Sequence, residues 1–97
     1  MNIGVLRIRL RLPENLNLKG KRQVIKSITT RVRGKFNVAI AETDDLDLWQ
    51  VATIGIVCVS NNPRYNNEVL SKVIDFIERS RFEMEMVDYE IELLPVF

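Results

Sequence analysis

The order of two hydrophobic periodicities is the feature of this sequence that most constrains its fold. Apolar residues alternate with polar ones in residues 3–12 and 84–94, which is typical of half-buried strands, and residues 37–43 form a short strand-like segment. Residues 49–60 are largely apolar at both odd and even positions, as expected for a central strand whose two faces are both at least partly covered. Residues 18–36 and the segment that starts at Pro63 instead repeat apolar residues at three- and four-residue intervals, which predicts helices.

The resulting order, βαββαβ, predicts an α+β sandwich of the ferredoxin-like type. In that arrangement a four-stranded antiparallel sheet carries both helices on one face, and the first and last strands lie side by side. A chain of 97 residues fits one such domain, spanning residues 1–97. The first strand turns three arginines and the last strand three acids toward the opposite sheet face, so we expect these charges to pair mainly with each other: Arg7, Arg9 and Arg11 with Asp88, Glu90 and Glu92.

Residue usage excludes several kinds of chemistry. The sequence contains no histidine, which removes the commonest general base, and its one cysteine, Cys58, lies in an apolar strand. A single cysteine permits no intramolecular disulfide and no Cys-x-x-Cys site. Four acids between residues 42 and 47 do not match the spacing of a calcium-binding loop, so a solvated acidic turn is the favoured interpretation. We therefore expect no catalytic residue, no cofactor and no metal site.

The hydrophobic segments are short. No apolar run approaches the roughly 18 residues that a membrane-spanning helix needs. The first hydrophobic stretch is interrupted by arginines, which is unlike a signal peptide. These patterns predict no membrane partner and a cytoplasmic location.

Charge is strongly divided along the chain. Ten of the 14 Lys and Arg residues lie within residues 1–41, which hold a single acid, whereas twelve of the 13 acids lie within residues 42–97. Such asymmetry indicates either a basic binding surface or two halves that pair in the fold. The basic residues are densest between Glu14 and Glu42, where no acid occurs and seven cations do: Lys19, Lys21, Arg22, Lys26, Arg31, Arg33 and Lys35.

This acid-free stretch predicts an amphipathic helix with a basic exposed face. At about 100° per residue, Arg22, Lys26 and Arg33 fall within roughly 40° of one another, away from the apolar positions. Asn17 is a candidate cap at the start of the helix, and Gly34 with Asn37 would end it. The apolar positions, which would face the core, are Val24, Ile25, Ile28, Val32 and Phe36.

Several short motifs, taken in order, resemble one family. They are Asn17-Leu18-Lys19-Gly20-Lys21-Arg22, Lys35-Phe36-Asn37-Val38 with Ala41-Glu42, Asp47-Leu48-Trp49-Gln50, and Val59-Ser60-Asn61. Together they are similar to the YlxP-like family of small bacterial proteins. The resemblance implies a ferredoxin-like fold and, because the family's genes often lie beside those for translation initiation and ribosome maturation, a ribosomal or RNA partner. The sequence departs from the family pattern at Asn17, where serine is usual, and at Gly20, where a larger residue is common.

The basic helix therefore predicts a non-catalytic RNA-binding or ribosome-associated protein, acting in small-subunit maturation or translation, with rRNA or the small ribosomal subunit as partner. Lys and Arg side chains at a helix start combine with backbone N–H groups to contact phosphates. Aromatic residues that would stack bases are missing from the central strands, so contact would be to the RNA backbone. The predicted RNA-binding residues are Lys19, Lys21, Arg22, Lys26 and Arg33.

Two alternatives stay open. The basic face is also consistent with a solvated surface that balances the acidic half of the chain, although the absence of acids over so long a stretch favours RNA. In that case the protein is an interaction module or a structural homodimer, because some residues of the central strand would leave an apolar patch on the open sheet face together with Val5. The candidates in the central strand are Val51, Thr53, Val57 and Val59. A small phosphate-handling enzyme is a weaker alternative, since the glycine-rich phosphate loop of acylphosphatases is missing. Trp49 is interpreted as a core residue at the start of a strand.

Overall fold

The computed structural model describes residues 1–80 and 83–97. Within these ranges the chain forms four strands and two helices in the predicted order. Each predicted element is present, with ends shifted by no more than two residues. The elements are β1 (Asn2–Arg11), α1 (Leu18–Lys35), β2 (Ala39–Asp44), β3 (Val51–Ser60), α2 (Pro63–Arg79) and β4 (Glu85–Pro95).

The strands form one antiparallel sheet in the order β2-β3-β1-β4. β1 pairs with β3 along its whole length, from Asn2 opposite Ser60 to Arg11 opposite Val51. Each helix links a strand to its second neighbour in the sheet, which is the split βαβ connection. The predicted ferredoxin-like α+β fold is confirmed.

The hydrophobic core lies between the helices and one face of the sheet. β1 contributes Leu6, Ile8 and Leu10, all fully buried, and β3 contributes Ala52, Ile54, Ile56 and Cys58. Both helices bury apolar residues in this single cluster, so they occupy the same face of the sheet. The helical core residues are Ile25, Ile28 and Val32 from α1, and Leu70, Val73, Ile74 and Ile77 from α2.

Opposite charges line up across β1 and β4, as predicted. Arg7 lies opposite Glu90 with an Nη2–Oε1 distance of 2.8 Å, and Arg9 lies opposite Asp88 at 3.9 Å. A register shift after Arg9 brings Arg11 opposite Glu85, which is not one of the three acids that were predicted to pair with the arginines. These side chains are about half exposed, so each pair contributes no more than roughly 0.2 to 1 kcal/mol.

The open face of the sheet is divided into an apolar half and a charged half. The apolar half, which we call the valine patch, consists of Ile3, Val5, Val57, Val59 and Leu94. Ile3 lies between Val59 and Leu94 in the sheet, and Val5 lies beside Val57. Val59 keeps 61% of its surface exposed and Leu94 keeps 42%. The predicted apolar patch is therefore present, although Thr53, on the same face, is buried.

Candidate nucleic-acid interface

The start of α1 is fixed by asparagines. The Asn17 side chain caps the helix by accepting a hydrogen bond of 2.7 Å from the Gly20 N–H, as predicted. Asn15 packs against Gly20 so closely that a Cβ atom there would collide with the Asn15 Oδ1 atom. The same Asn15 amide donates to the backbone oxygens of Asn17 and Trp49. Gly20, the residue that departs from the family pattern, thus allows Asn15 to join the helix start to the β2–β3 loop.

One flank of α1 carries four exposed cations, which we call the basic flank: Lys19, Arg22, Lys26 and Arg33. The first turn of the helix contains no acid. In the described part of the chain, Lys19, Arg22 and Lys26 form no ion pair with any carboxylate. Their charges are therefore open to solvent. The Lys19 side chain also stands at the positive end of the helix dipole, which attracts anions.

Arg33, unlike the three other members of the basic flank, forms a side-chain hydrogen bond to another element within the described part of the chain. Its Nη2 atom donates a 3.0 Å hydrogen bond to the backbone oxygen of Ile40 in β2. The contact orients the guanidinium along the edge of the sheet and uses one of its five N–H donors. The remaining donors are free to bind an anion, so Arg33 remains compatible with the predicted role.

Lys21 does not belong to this surface. Its side chain is fully buried, with 0% exposure, and its Nζ atom lies 2.8 Å from Glu42 Oε2. The ammonium also donates to the backbone oxygens of Asp45, at 2.7 Å, and Val51, at 3.1 Å. The ammonium thus makes two hydrogen bonds and one ion pair inside the protein. The prediction that Lys21 contacts RNA is wrong, because Lys21 lies on the core face of the helix, one turn before Ile25.

A signal for this role was present in the sequence. Lys21 precedes Ile25 by four residues and Ile28 by seven, so it continues the apolar stripe toward the helix start. A lysine in that register buries its aliphatic stem and needs a carboxylate for its head group. Glu42, the first acid after the cationic stretch, supplies it.

Two of the four acids between residues 42 and 47 have a structural role. Glu42 pairs with Lys21, and the Asp45 carboxylate accepts a 2.9 Å hydrogen bond from the hydroxyl group of Thr53. Asp45 adopts a left-handed backbone conformation, with φ of 60°, which turns the chain. Within residues 1–80 and 83–97, no three His, Cys, Asp or Glu side chains come together as a metal site would require.

Trp49 is exposed, which corrects the prediction that it starts a core strand. It precedes β3, keeps 54% of its surface exposed and has exposed apolar neighbours in Leu46 and Leu48. The loop is fixed to the segment between β1 and α1, because the Gln50 side chain donates hydrogen bonds to the backbone oxygens of Pro13 and Asn15. The hydrophobic pattern does not contain these long-range contacts, so it could not show that β3 begins only after Trp49.

Helix ends also differ from prediction in one place. α1 continues through Gly34 to Lys35, and the chain leaves the helix at Phe36 in an extended conformation. Gly34 has no positive φ angle and therefore does not end the helix. Gly55 marks a close approach, because a Cβ atom there would lie 2.8 Å from Thr43 Cγ2.

Cys58 lies in the core beside α2. Burial raises the pKa of its thiol, partly offset by a hydrogen bond from the Gly4 backbone. The thiol is therefore held in its protonated, unreactive form.

In the helices that the structure describes, no segment is both long and apolar enough to cross a membrane.

The sequence is similar to those of known proteins. Residues 3–91 match the model of the family described as "Protein of unknown function (DUF503)". A relative from Bacillus subtilis (strain 168), "Uncharacterized protein YlxP", is 44% identical over 62 residues, which cover 64% of this chain and 67% of the relative. These two findings confirm the resemblance noted in the sequence.

A solved structure with a similar arrangement is LarC2, the C-terminal domain of a cyclometallase involved in the synthesis of the NPN cofactor of lactate racemase. The match has a TM-score of 0.47 and 10% sequence identity. It covers 97% of this chain, which spans only 56% of the LarC2 chain.

Proposed function

We propose a non-catalytic RNA-binding function for this chain, which belongs to the DUF503 family of proteins of unknown function. The RNA is ribosomal, and the small ribosomal subunit or its precursor is the partner, in the cytoplasm, during subunit maturation or translation. One observation carries the proposal: Lys19, Arg22 and Lys26 are exposed along one helix flank and pair with no carboxylate in the described chain. The contact set is the basic flank, without Lys21.

The comparison with the other cations of the chain supports this choice. Arg7 and Arg9 sit opposite acids on β4, so their charge is locally balanced. Lys19, Arg22 and Lys26 have no such acidic partner among the described residues. An unbalanced row of cations on a rigid helix binds phosphates by releasing counterions, and such binding depends strongly on salt. The helix spacing sets the cations in a line, which suits the backbone of a nucleic acid better than a single small anion.

Affinity for purified small-subunit rRNA, measured against salt concentration, tests the proposal. The informative variant is Lys19→Gln/Arg22→Gln/Lys26→Gln, which removes three exposed charges. For single-stranded RNA each phosphate contact contributes about −0.7 to the slope of log K against log salt, so we expect the slope to flatten by roughly 2.

The matched control is Arg7→Gln/Arg9→Gln/Arg11→Gln, which makes the same change in net charge on the opposite face of the sheet. The control should keep the native slope. Equal weakening by both variants would mean that net charge alone drives the binding, and no binding at low salt would refute the RNA function.

A second candidate function, a structural homodimer, is favoured by the valine patch. The open face is covered by no helix, and its exposed apolar residues adjoin neighbouring rows of arginines on β1 and acids on β4. A second copy related by a two-fold axis can bury the patch and set one copy's arginines against the other's acids. Light scattering after gel filtration tests this: Val59→Lys should convert a dimer to a monomer, and Leu46→Lys, at an exposed site elsewhere, should not. A native protein that is monomeric at high concentration would exclude the dimer.

A further inference from the structure

A second cationic surface lies between the two helices, in a groove with a volume of 730 Å³. Arg31 and Lys35 line it from α1, and Lys72 and Arg79 line it from α2. Among the described residues of its lining, Asp75 is the one carboxylate that opposes these four cations. The groove therefore attracts anions.

The floor of the groove is aromatic. The rings of Phe36 and Phe76 pack edge to face, with centroids 5.7 Å apart and an interplanar angle of 74°. Both side chains are only half buried, so part of each ring faces the groove. Rings in this geometry leave part of their apolar surface in the groove, where another apolar group can pack against them.

Two cations are held against this floor. The Lys35 Nζ atom lies 4.9 Å from the centroid of the Phe76 ring, and the guanidinium carbon of Arg31 lies 5.8 Å from the same centroid. The ring attracts both charges through its quadrupole, which positions them at the floor of the groove.

The groove is separate from the basic flank. On the helical wheel of α1, at about 100° per residue, Arg31 and Lys35 lie roughly opposite Arg22 and Arg33. Arg33 points to β2, where it contacts Ile40, whereas Lys35 points to α2. Substitutions in one surface therefore leave the other intact.

We propose that this groove binds a mononucleotide, with the phosphate held by the cations and the base packed against the apolar surface that Phe36 and Phe76 leave in the groove. A nucleotide combines a phosphate dianion with a planar aromatic group, as the lining requires. The volume falls within the range of about 300 to 1,000 Å³ that small-molecule sites occupy. Inorganic phosphate would leave the rings unused. An acyl chain would find only two apolar side chains, Phe36 and Phe76, in the described lining.

The experiment is a titration of the folded protein with adenosine 5′-monophosphate at low salt, followed by the NMR shifts of backbone amides. Adenosine and inorganic phosphate, titrated separately, are the two comparison ligands. We expect the nucleotide to bind more tightly than either, with shifts confined to the end of α1 and the second half of α2. The test variant is Lys35→Gln/Lys72→Gln, and the matched control is Lys19→Gln/Lys26→Gln on the basic flank.

Removal of two exposed cations should weaken nucleotide binding by roughly 3- to 30-fold, and the control should stay within about twofold of the native protein. All four lysines are exposed, so neither variant is expected to unfold. Absence of nucleotide binding, equal loss in both variants, or phosphate binding as tight as the nucleotide would each overturn the proposal.

Discussion

Replacement of Lys21 by methionine is the sharpest test of the structure, because Lys21 is the buried cation that sequence alone placed at the surface. Methionine retains most of the apolar stem but removes the ammonium. The substitution leaves the Glu42 carboxylate, whose side chain is only 13% exposed, without its cation. It also removes the donor from the backbone oxygens of Asp45 and Val51.

Removal of one partner from a buried ion pair typically costs about 3 to 5 kcal/mol. Glu42 keeps a little contact with water, which places the loss near the lower end, at about 3 kcal/mol. A domain of this size has a free energy of unfolding of about 5 to 15 kcal/mol, so the variant should lose a large share of it. Urea denaturation measures the change directly.

Lys26→Met is the matched control, because it removes a lysine from the exposed flank of the same helix. It should change the free energy of unfolding by no more than about 0.5 kcal/mol. In the double variant Lys21→Met/Glu42→Leu the unpaired carboxylate is gone, so stability should recover in part. If Lys21→Met were as stable as Lys26→Met, the buried pair would be refuted and Lys21 would return to the exposed cations.

Three further predictions follow from local packing. Gly20→Ala should destabilise the protein by about 1 kcal/mol in the same urea assay, because the new Cβ atom displaces Asn15. Gly34→Ala, which has open space around it, should instead stabilise α1 by about 0.5 to 1 kcal/mol. Stabilisation by both substitutions would contradict the Asn15 contact. Trp49→Ala should cost less than about 1 kcal/mol, and native Trp49 fluorescence should already resemble that of a solvated indole; a blue-shifted emission would place it in a core. Burial raises the pKa of the Cys58 thiol, so iodoacetamide at a given pH should alkylate Cys58 far more slowly in the native protein than in urea; equal alkylation rates would contradict the burial. The free energy of unfolding should also fall as the pH rises past the pKa of the thiol in the unfolded state, because the unfolded state loses its proton first.

The fold was predicted correctly because each main element has a long and regular pattern of apolar residues. Leu6, Ile8 and Leu10 alternate strictly along β1, and Ile25, Ile28 and Val32 keep the helical interval, so the backbone that buries each set is fixed locally. Pairing of β1 with β4 then followed from topology. The pairing of Arg7 with Glu90 and of Arg9 with Asp88 was predictable for the same reason.

The candidate site was predictable only in part. Charge and helical angle were enough to place Lys19, Arg22 and Lys26 on one exposed flank. They did not separate Lys21 from these residues, because its burial depends on Glu42 and the β2–β3 loop, which lie more than 20 residues away. The groove between the helices was missed because its cations come from two helices whose relative position no local pattern encodes.

The sequence by itself determined the order of the elements, the residues that each turns to the core and the sign of charge on each face, since these depend on periodicities of two and 3.6 residues. The tertiary structure alone decided which cations remain available. It buried Lys21 against Glu42, tied Arg33 to Ile40, left Trp49 in solvent and brought Lys35 and Lys72 to one groove. Each of these outcomes depends on a contact between distant segments, and such contacts form only when the sheet and both helices are assembled.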